Sequence, residues 1–270
     1  MDLDSLYRLF EWPEDPGERA FLERTERARG HMDILTSHPW IRGLGEEVRL
    51  LDLCSGTGIG GAILADRLIR EGKKVYLTLA DLREDALRKA GEWIPDTIGV
   101  KPKLVRCRAE EVHRFISDQD LCLIYGLSIP HFNPWNCARM LASVSSVSNM
   151  AVIEVMDYYD WYFRTIGYKY LLPERGEGKV TLHQGYDHLR GVYRRKLISL
   201  LTGESADMEV SFWSLSSLGT LMWMFYRDVD FIELERISHR GFLIGRDPRG
   251  RITPTDLEKD PSIVRENTEM

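Results

Sequence analysis

The sequence predicts an α/β fold, with a doubly wound, mostly parallel sheet covered by helices on both faces. Three observations predict it. From residue 48 onward, short apolar runs alternate with helical segments, the pattern of βαβ units. The first run, Val48–Leu53, leads into Gly56-Thr57-Gly58-Ile59-Gly60-Gly61. Glycines there let the backbone approach a ligand closely, and the following helix points unpaired N–H groups at it. Near the end of the chain, Phe231–Ser238 and Gly241–Arg246 are joined only by the turn His239-Arg240. A turn that short cannot make a parallel crossover, so these two strands pair antiparallel.

The elements follow in order. Residues 1–47 form an N-terminal helical cap, with charges and a sparse apolar stripe over Gly17 to Arg29 and a helix start at Ser37-His38-Pro39-Trp40. The core, 48–157, opens with the strand Val48–Leu53 and a helix over Ile59–Arg70. Strand Lys74–Ala80 follows, with Asp81 at its carboxyl end. The helix Arg83–Trp93 has Ala86, Leu87, Ala90 and Trp93 on one face. Then come strands Lys103–Cys107 and Leu121–Tyr125, a helix over Pro134–Val147 and strand Ala151–Met156. Residues 158–213 interrupt the alternation as an inserted lid segment. Its stretch 158–200 holds nine of the chain's 27 aromatic residues, and eight Lys/Arg against four Asp/Glu. Residues 214–247 supply a helix over Ser214–Tyr226 and the antiparallel pair, and 248–270 form a polar tail.

Composition narrows the function. The 270 residues, 43% hydrophobic, suffice for one large domain or one domain with a sizeable insertion. A net charge of -6 argues against a general phosphate-binding surface. A small-molecule substrate is therefore favoured over a nucleic acid or protein acceptor, although a local patch such as Arg194-Arg195-Lys196 could anchor an acidic group. Cys54, Cys107, Cys122 and Cys137 have neither CxxC nor metal-ligand spacing. They read as reduced thiols of a cytoplasmic protein, and no metal is expected. Met1-Asp2-Leu3-Asp4 lacks the features of a signal peptide, and Val210 to Tyr226 is too short and polar for a membrane span.

The glycine turn fits two cofactors. It satisfies G-x-G-x-x-G, and Asp81 lies 20 residues past Gly61, where a dinucleotide fold wants an acid for a ribose hydroxyl. That supports an NAD-dependent oxidoreductase. Asp52, inside the strand, points the other way. A carboxylate is costly to bury there without a partner, would repel a pyrophosphate, and would welcome a cationic ligand.

Leu51-Asp52-Leu53-Cys54-Ser55-Gly56-Thr57-Gly58 resembles motif I of the class I S-adenosylmethionine-dependent methyltransferases, with Asp52 in the acidic place and Cys54 replacing the first glycine. The resemblance implies a Rossmann-like, seven-stranded sheet whose last strand is inserted antiparallel. It implies S-adenosylmethionine as cofactor, held by Asp52, Cys54, Ser55, Gly56, Thr57 and Gly58. It further implies ribose binding by Asp81, adenine packing by Leu82, and an adenine-amine contact near Ala109 and Glu110. Tyr125 and Gly126 fall beside the reactive methyl group. A third reading keeps the fold and ligand without catalysis.

In such sheets the reaction crevice lies beyond the strands' carboxyl ends. His131 is the expected base, with Asp157 and Tyr158 as further catalytic candidates. Ser128, Tyr159, Trp161 and Arg164 are the expected substrate contacts. Tyr158, Tyr159, Trp161, Tyr162 and Phe163 are too crowded for one core-facing stripe, so some face solvent, a ligand or a second copy in a homodimer. Asn133-Pro134-Trp135 reads as a helix start, with Asn133 as cap.

Overall fold

A computed structural model describes residues 6–7, 9–10, 14–160, 169–174, 177–236 and 239–265. The first helix, α1 (Arg19–Thr36), buries Phe21, Ala28, Met32 and Leu35 along one stripe. A short helix, α2 (Pro39–Arg42), begins at the expected His38-Pro39 start. Then β1 (Glu47–Leu53), α3 (Ile59–Arg70), β2 (Lys74–Asp81), α4 (Glu84–Ile98), β3 (Lys103–Arg106), β4 (Leu121–Ile124), α5 (Pro134–Val147) and β5 (Met150–Val155) alternate as predicted. The Asn133 side chain caps α5, accepting the Asn136 N–H at 2.9 Å.

After an antiparallel interlude come α6 (Leu215–Phe225), β10 (Tyr226–Glu235) and β11 (Arg240–Pro248). The main sheet has seven strands in the order β10-β11-β5-β4-β1-β2-β3. The pairs β1–β2, β1–β4, β2–β3 and β4–β5 are parallel, whereas β11 is antiparallel to both β5 and β10. All residues of β4 and β5 are buried, as a strand covered on both faces requires. One apolar cluster fills each side of the sheet, and α1 and α3 lie in the same cluster.

Two features differ from the sequence reading. Strand β10 starts at Tyr226, directly after α6, rather than at Phe231. Arg227, Asp228 and Asp230 hide its pattern because it is the edge strand, where charges face water and Asp228 pairs with Arg246 across β11 at 2.9 Å. The second is the inserted segment, for which no strands are expected. It contains β6 (Leu171–Pro173), β7 (Lys179–Asp187), β8 (Val192–Ser199) and β9 (Ser205–Val210), an antiparallel sheet in that order. Leu197 and Met208 of this sheet pack on Leu6 and Leu9 from the N-terminal segment. Arg195 conceals the alternation of β8, because it points inward, 2% exposed, and donates to the Thr181 hydroxyl and carbonyl.

Candidate active site

A cavity of about 370 Å³ opens at the carboxyl ends of β1, β2 and β4. That is the size of a small-molecule site. Its floor is the turn after β1. Cys54 (φ 58°) and Gly56 (φ 52°) are left-handed, and Gly58 (φ 78°) caps α3. The thiol at Cys54 therefore occupies a conformation natural to glycine, at a strain on the order of 1 kcal/mol.

Asp52 ends 1% exposed beneath this turn. Its Oδ2 accepts the Gly61 N–H at 2.7 Å, while its Oδ1 is buried without a partner. Burial pushes its carboxyl up to about 7, and the Gly61 N–H only partly opposes this. A Cβ on Gly61 would lie 2.7 Å from the Asp52 Cβ and 2.8 Å from Oδ2. Gly61→Ala is thus expected to force the helix start off Asp52 and cost about 1–3 kcal/mol of stability. Urea denaturation checks this, and an unchanged midpoint would show that α3 can shift freely.

Asp81 fastens the turn to the start of α4. Its Oδ2 accepts the Gly56 N–H at 2.7 Å, and its Oδ1 accepts the Arg83 N–H at 2.9 Å. Burial raises its pKa against those hydrogen bonds. Leu82, Ala109 and Glu110 continue the wall, and Glu110 pairs with Arg108 at 3.1 Å. Ser55 and Thr57 also line the cavity, with the Ser55 hydroxyl buried and unpartnered. Gly58 does not line it. A Cβ there would meet Ile94 at 2.8 Å and Leu79 at 2.9 Å, so its bareness serves packing of the loop against α4 and β2.

The wall after β4 rests on a buried network that sequence reasoning missed. Glu154 in β5 is 0% exposed. Its Oε2 accepts the Gly126 N–H at 2.7 Å, and its Oε1 accepts from Arg240 Nε at 2.9 Å. His31 Nδ1 lies 3.6 Å from that oxygen and 2.9 Å from the Tyr125 hydroxyl. The carboxylate so holds Gly126 (φ 95°) and Leu127 (φ 59°) in a left-handed turn. Tyr125, Gly126, Ser128 and His131 line the cavity from this loop. The His131 side chain is exposed on the cavity wall, and the surrounding protein thins its hydration enough to lower its pKa, which favours the neutral imidazole.

Asp157, Tyr158 and Tyr159 are not among the lining residues. The Asp157 Oδ2 instead accepts the Leu215 N–H at 3.0 Å, holding the first turn of α6. Burial pushes the Tyr158 hydroxyl's pKa up, and Tyr159 is exposed. Trp161 and Arg164 lie outside the described residues. The roof comes from places the sequence did not mark. Tyr7, Glu14 and Arg24 enter from the N-terminal segment, and Arg190 and Glu209 from the small sheet. Glu14 pairs with Arg83, whose guanidinium lies 4.5 Å from the Tyr7 ring. As isolated charges in polar stretches, Glu14, Arg24, Arg190 and Glu209 carry no sequence signal of an interior position.

Among the described residues, no group of three His, Cys, Asp or Glu could hold a metal ion, and no helix is long and apolar enough to cross a membrane.

No protein-family model matches the sequence, and no curated protein matches it. Solved structures match its fold. A S-adenosylmethionine-dependent methyltransferase from Clostridium acetobutylicum ATCC 824 aligns with a TM-score of 0.59 over 81% of this chain and 91% of its own, at 13% identity. CalS10, an amino pentose methyltransferase from Micromonospora echinaspora with S-adenosylmethionine bound, aligns at 0.56 over 92% and 97%, with 14% identity. The sugar N-methyltransferase KedS8 from Streptoalloteichus sp ATCC 53650 aligns at 0.56 over 87% and 95%, also with 14% identity. The chain has the class I methyltransferase fold. The reversed β11 inserted beside β5 distinguishes this sheet from the six parallel strands of the dinucleotide fold. The methyltransferase fold also accounts for the cavity's position, outside the carboxyl ends of β1 and β4, where the strand order reverses direction.

Proposed function

We propose that this protein transfers a methyl group from S-adenosylmethionine to an oxygen or nitrogen of a small-molecule acceptor. The observation that carries the reading is the unpartnered Oδ1 of Asp52 beneath the glycine turn. A buried carboxylate oxygen without a donor suits a cationic ligand and repels a pyrophosphate, which disfavours NAD. When bound, S-adenosylmethionine supplies a methyl group on a sulfonium, already a good leaving group. Asp52 and Ser55 would face its cationic end. Asp81 would accept from the ribose hydroxyls, Leu82 and Ala109 would pack on the adenine, and Glu110 would meet its amine. Cys54, Gly56 and Thr57 would lie along the cofactor, and Tyr125 and Gly126 would wall the transfer site. Neutral His131 would take the acceptor's proton, and Ser128 would help orient the acceptor.

A cavity of about 370 Å³ favours a small acceptor over a nucleic acid or protein, in keeping with the sugar methyltransferases among the structural neighbours. Thermal denaturation tests the cofactor. S-adenosylmethionine or S-adenosylhomocysteine at 100 times its dissociation constant is expected to stabilise the chain by about 2.7 kcal/mol, and NAD to do nothing. Stabilisation by NAD alone would overturn the reading. Asp81→Ala is expected to weaken S-adenosylmethionine binding roughly tenfold to a hundredfold, through loss of charge-assisted hydrogen bonds. Calorimetric titration measures it, and unchanged affinity would remove Asp81 from the ribose site.

A further inference from the structure

The cavity extends past the cofactor-side residues to a wall shared by the loop after β4 and the small sheet. Ser128, His131 and Asn136 come from the loop and the start of α5, and Arg190 and Glu209 from the sheet. The sheet is bolted to this loop. The Ser211 N–H donates to the Pro130 carbonyl at 2.8 Å, and the Trp135 indole N–H to the Leu189 carbonyl at 3.1 Å. Gly191 (φ 67°) sits against Pro134, where an added Cβ would be 3.2 Å from its Cδ, and its carbonyl accepts the Ser211 hydroxyl at 2.8 Å. The turn that carries Arg190 is thus held on both sides of that residue.

Its charge is not consumed within the fold. Asp187 accepts the Arg190 backbone N–H at 3.0 Å, but its second oxygen faces the Arg194 guanidinium at 3.3 Å. Glu209 also lies nearest Arg194, at 4.0 Å. The basic run Arg194-Arg195-Lys196, which could have anchored an acidic group, is tied up. Besides Arg194, Arg195 is buried on Thr181, and Lys196 pairs with Asp207 at 2.9 Å. Elsewhere on the cavity wall, Arg83 pairs with Glu14 and Arg108 with Glu110. Arg190 has no ion-pair partner among the described residues, yet it lines the cavity.

From this arrangement we infer that the methyl acceptor is an anionic small molecule, whose carboxylate or phosphate is held by Arg190. A planar guanidinium on a rigid turn matches either group through paired N–H donors. The inference rests on the methyl-transfer reading. The acceptor's nucleophilic atom then lies toward His131, with its anionic group toward the small sheet. The acceptor lone pair forms the bond to the methyl carbon, the carbon–sulfur bond breaks with its electrons passing to sulfur, and the acceptor's proton passes to His131.

The test uses the full chain, methyl-labelled S-adenosylmethionine and a small-molecule extract of its source cells, split by an anion exchanger into retained and unretained fractions. Label is expected in a product of the retained fraction. R190Q is expected to cut that labelling roughly tenfold to a hundredfold. R190K should recover part of it, and R190Q should keep the full thermal stabilisation by S-adenosylhomocysteine. Phosphatase treatment of the retained fraction abolishes labelling if the group is a phosphate and spares it if it is a carboxylate, and either result supports the inference. Labelling from the unretained fraction alone, undiminished labelling by R190Q, or no labelled product from the retained fraction would overturn it. Absence of S-adenosylhomocysteine binding to the unmodified protein would bring down the methyl-transfer reading and this inference together.

Discussion

Replacing Glu154 with alanine is expected to lower stability by about 3–5 kcal/mol, the usual consequence of breaking a buried ion pair from one side. The loss has two sources. Arg240, only 19% exposed, would keep its charge without the carboxylate it now meets. The Gly126 N–H would lose its acceptor while its φ of 95° still has to be maintained. Glu154→Gln keeps an amide oxygen for one of these donors and should cost distinctly less. Denaturant unfolding of both variants separates the contributions. A loss below about 1 kcal/mol for the alanine variant would mean that water replaces the carboxylate and that the loop after β4 does not depend on it.

The second large effect concerns Asp52. Burial raises its folded-state pKa to about 7, from an ordinary value of 3.8. The folded chain therefore holds this proton more tightly than the unfolded chain does. Stability falls as pH rises between roughly 4 and 7, by about 4 kcal/mol at most across that window, and stays low above it. Asp52→Asn preserves an oxygen for the Gly61 N–H and removes the ionisation. The free variant should be more stable than the unmodified protein at pH 8, and nearly equal to it at pH 4. Its affinity for S-adenosylmethionine should be lower by roughly tenfold or more, since the charge that receives the cation is gone. In the unmodified protein, affinity should fall as pH drops below 7, because Asp52 protonates, whereas the variant's affinity should not follow that curve. Paired melting and titration series from pH 5 to 8 read both effects. Identical pH profiles for the two proteins would show that Asp52 does not face the cofactor.

The parts of the fold that could be read from the sequence were those governed by local apolar pattern. Strands β4 and β5 are buried along their whole length, and β1 and β2 over their carboxyl halves, so each shows as a short apolar run. The reversed final strand followed from one short turn. The small sheet was hidden because Arg195 occupies an inward position and breaks the alternation of β8. In the cavity, the glycine turn and Asp81 stand at strand ends and are visible by spacing. Glu14, Arg24 and Arg190 reach it from far along the chain, and only the folded backbone brings them there. Asp157 looked catalytic because it follows a central strand, but a helix start uses its carboxylate first.

The insertion has a further consequence for synthesis on the ribosome. Strand β5 ends at Val155, and its neighbour β11 begins only at Arg240. At ~5–20 residues per second, the six-residue apolar edge of β5 waits several seconds or more for its partner. Throughout that interval it offers unpaired N–H and C=O groups to any other nascent chain. The small sheet and α6 emerge during the wait, so their early folding, or a holding chaperone, would decide how much newly made protein escapes aggregation.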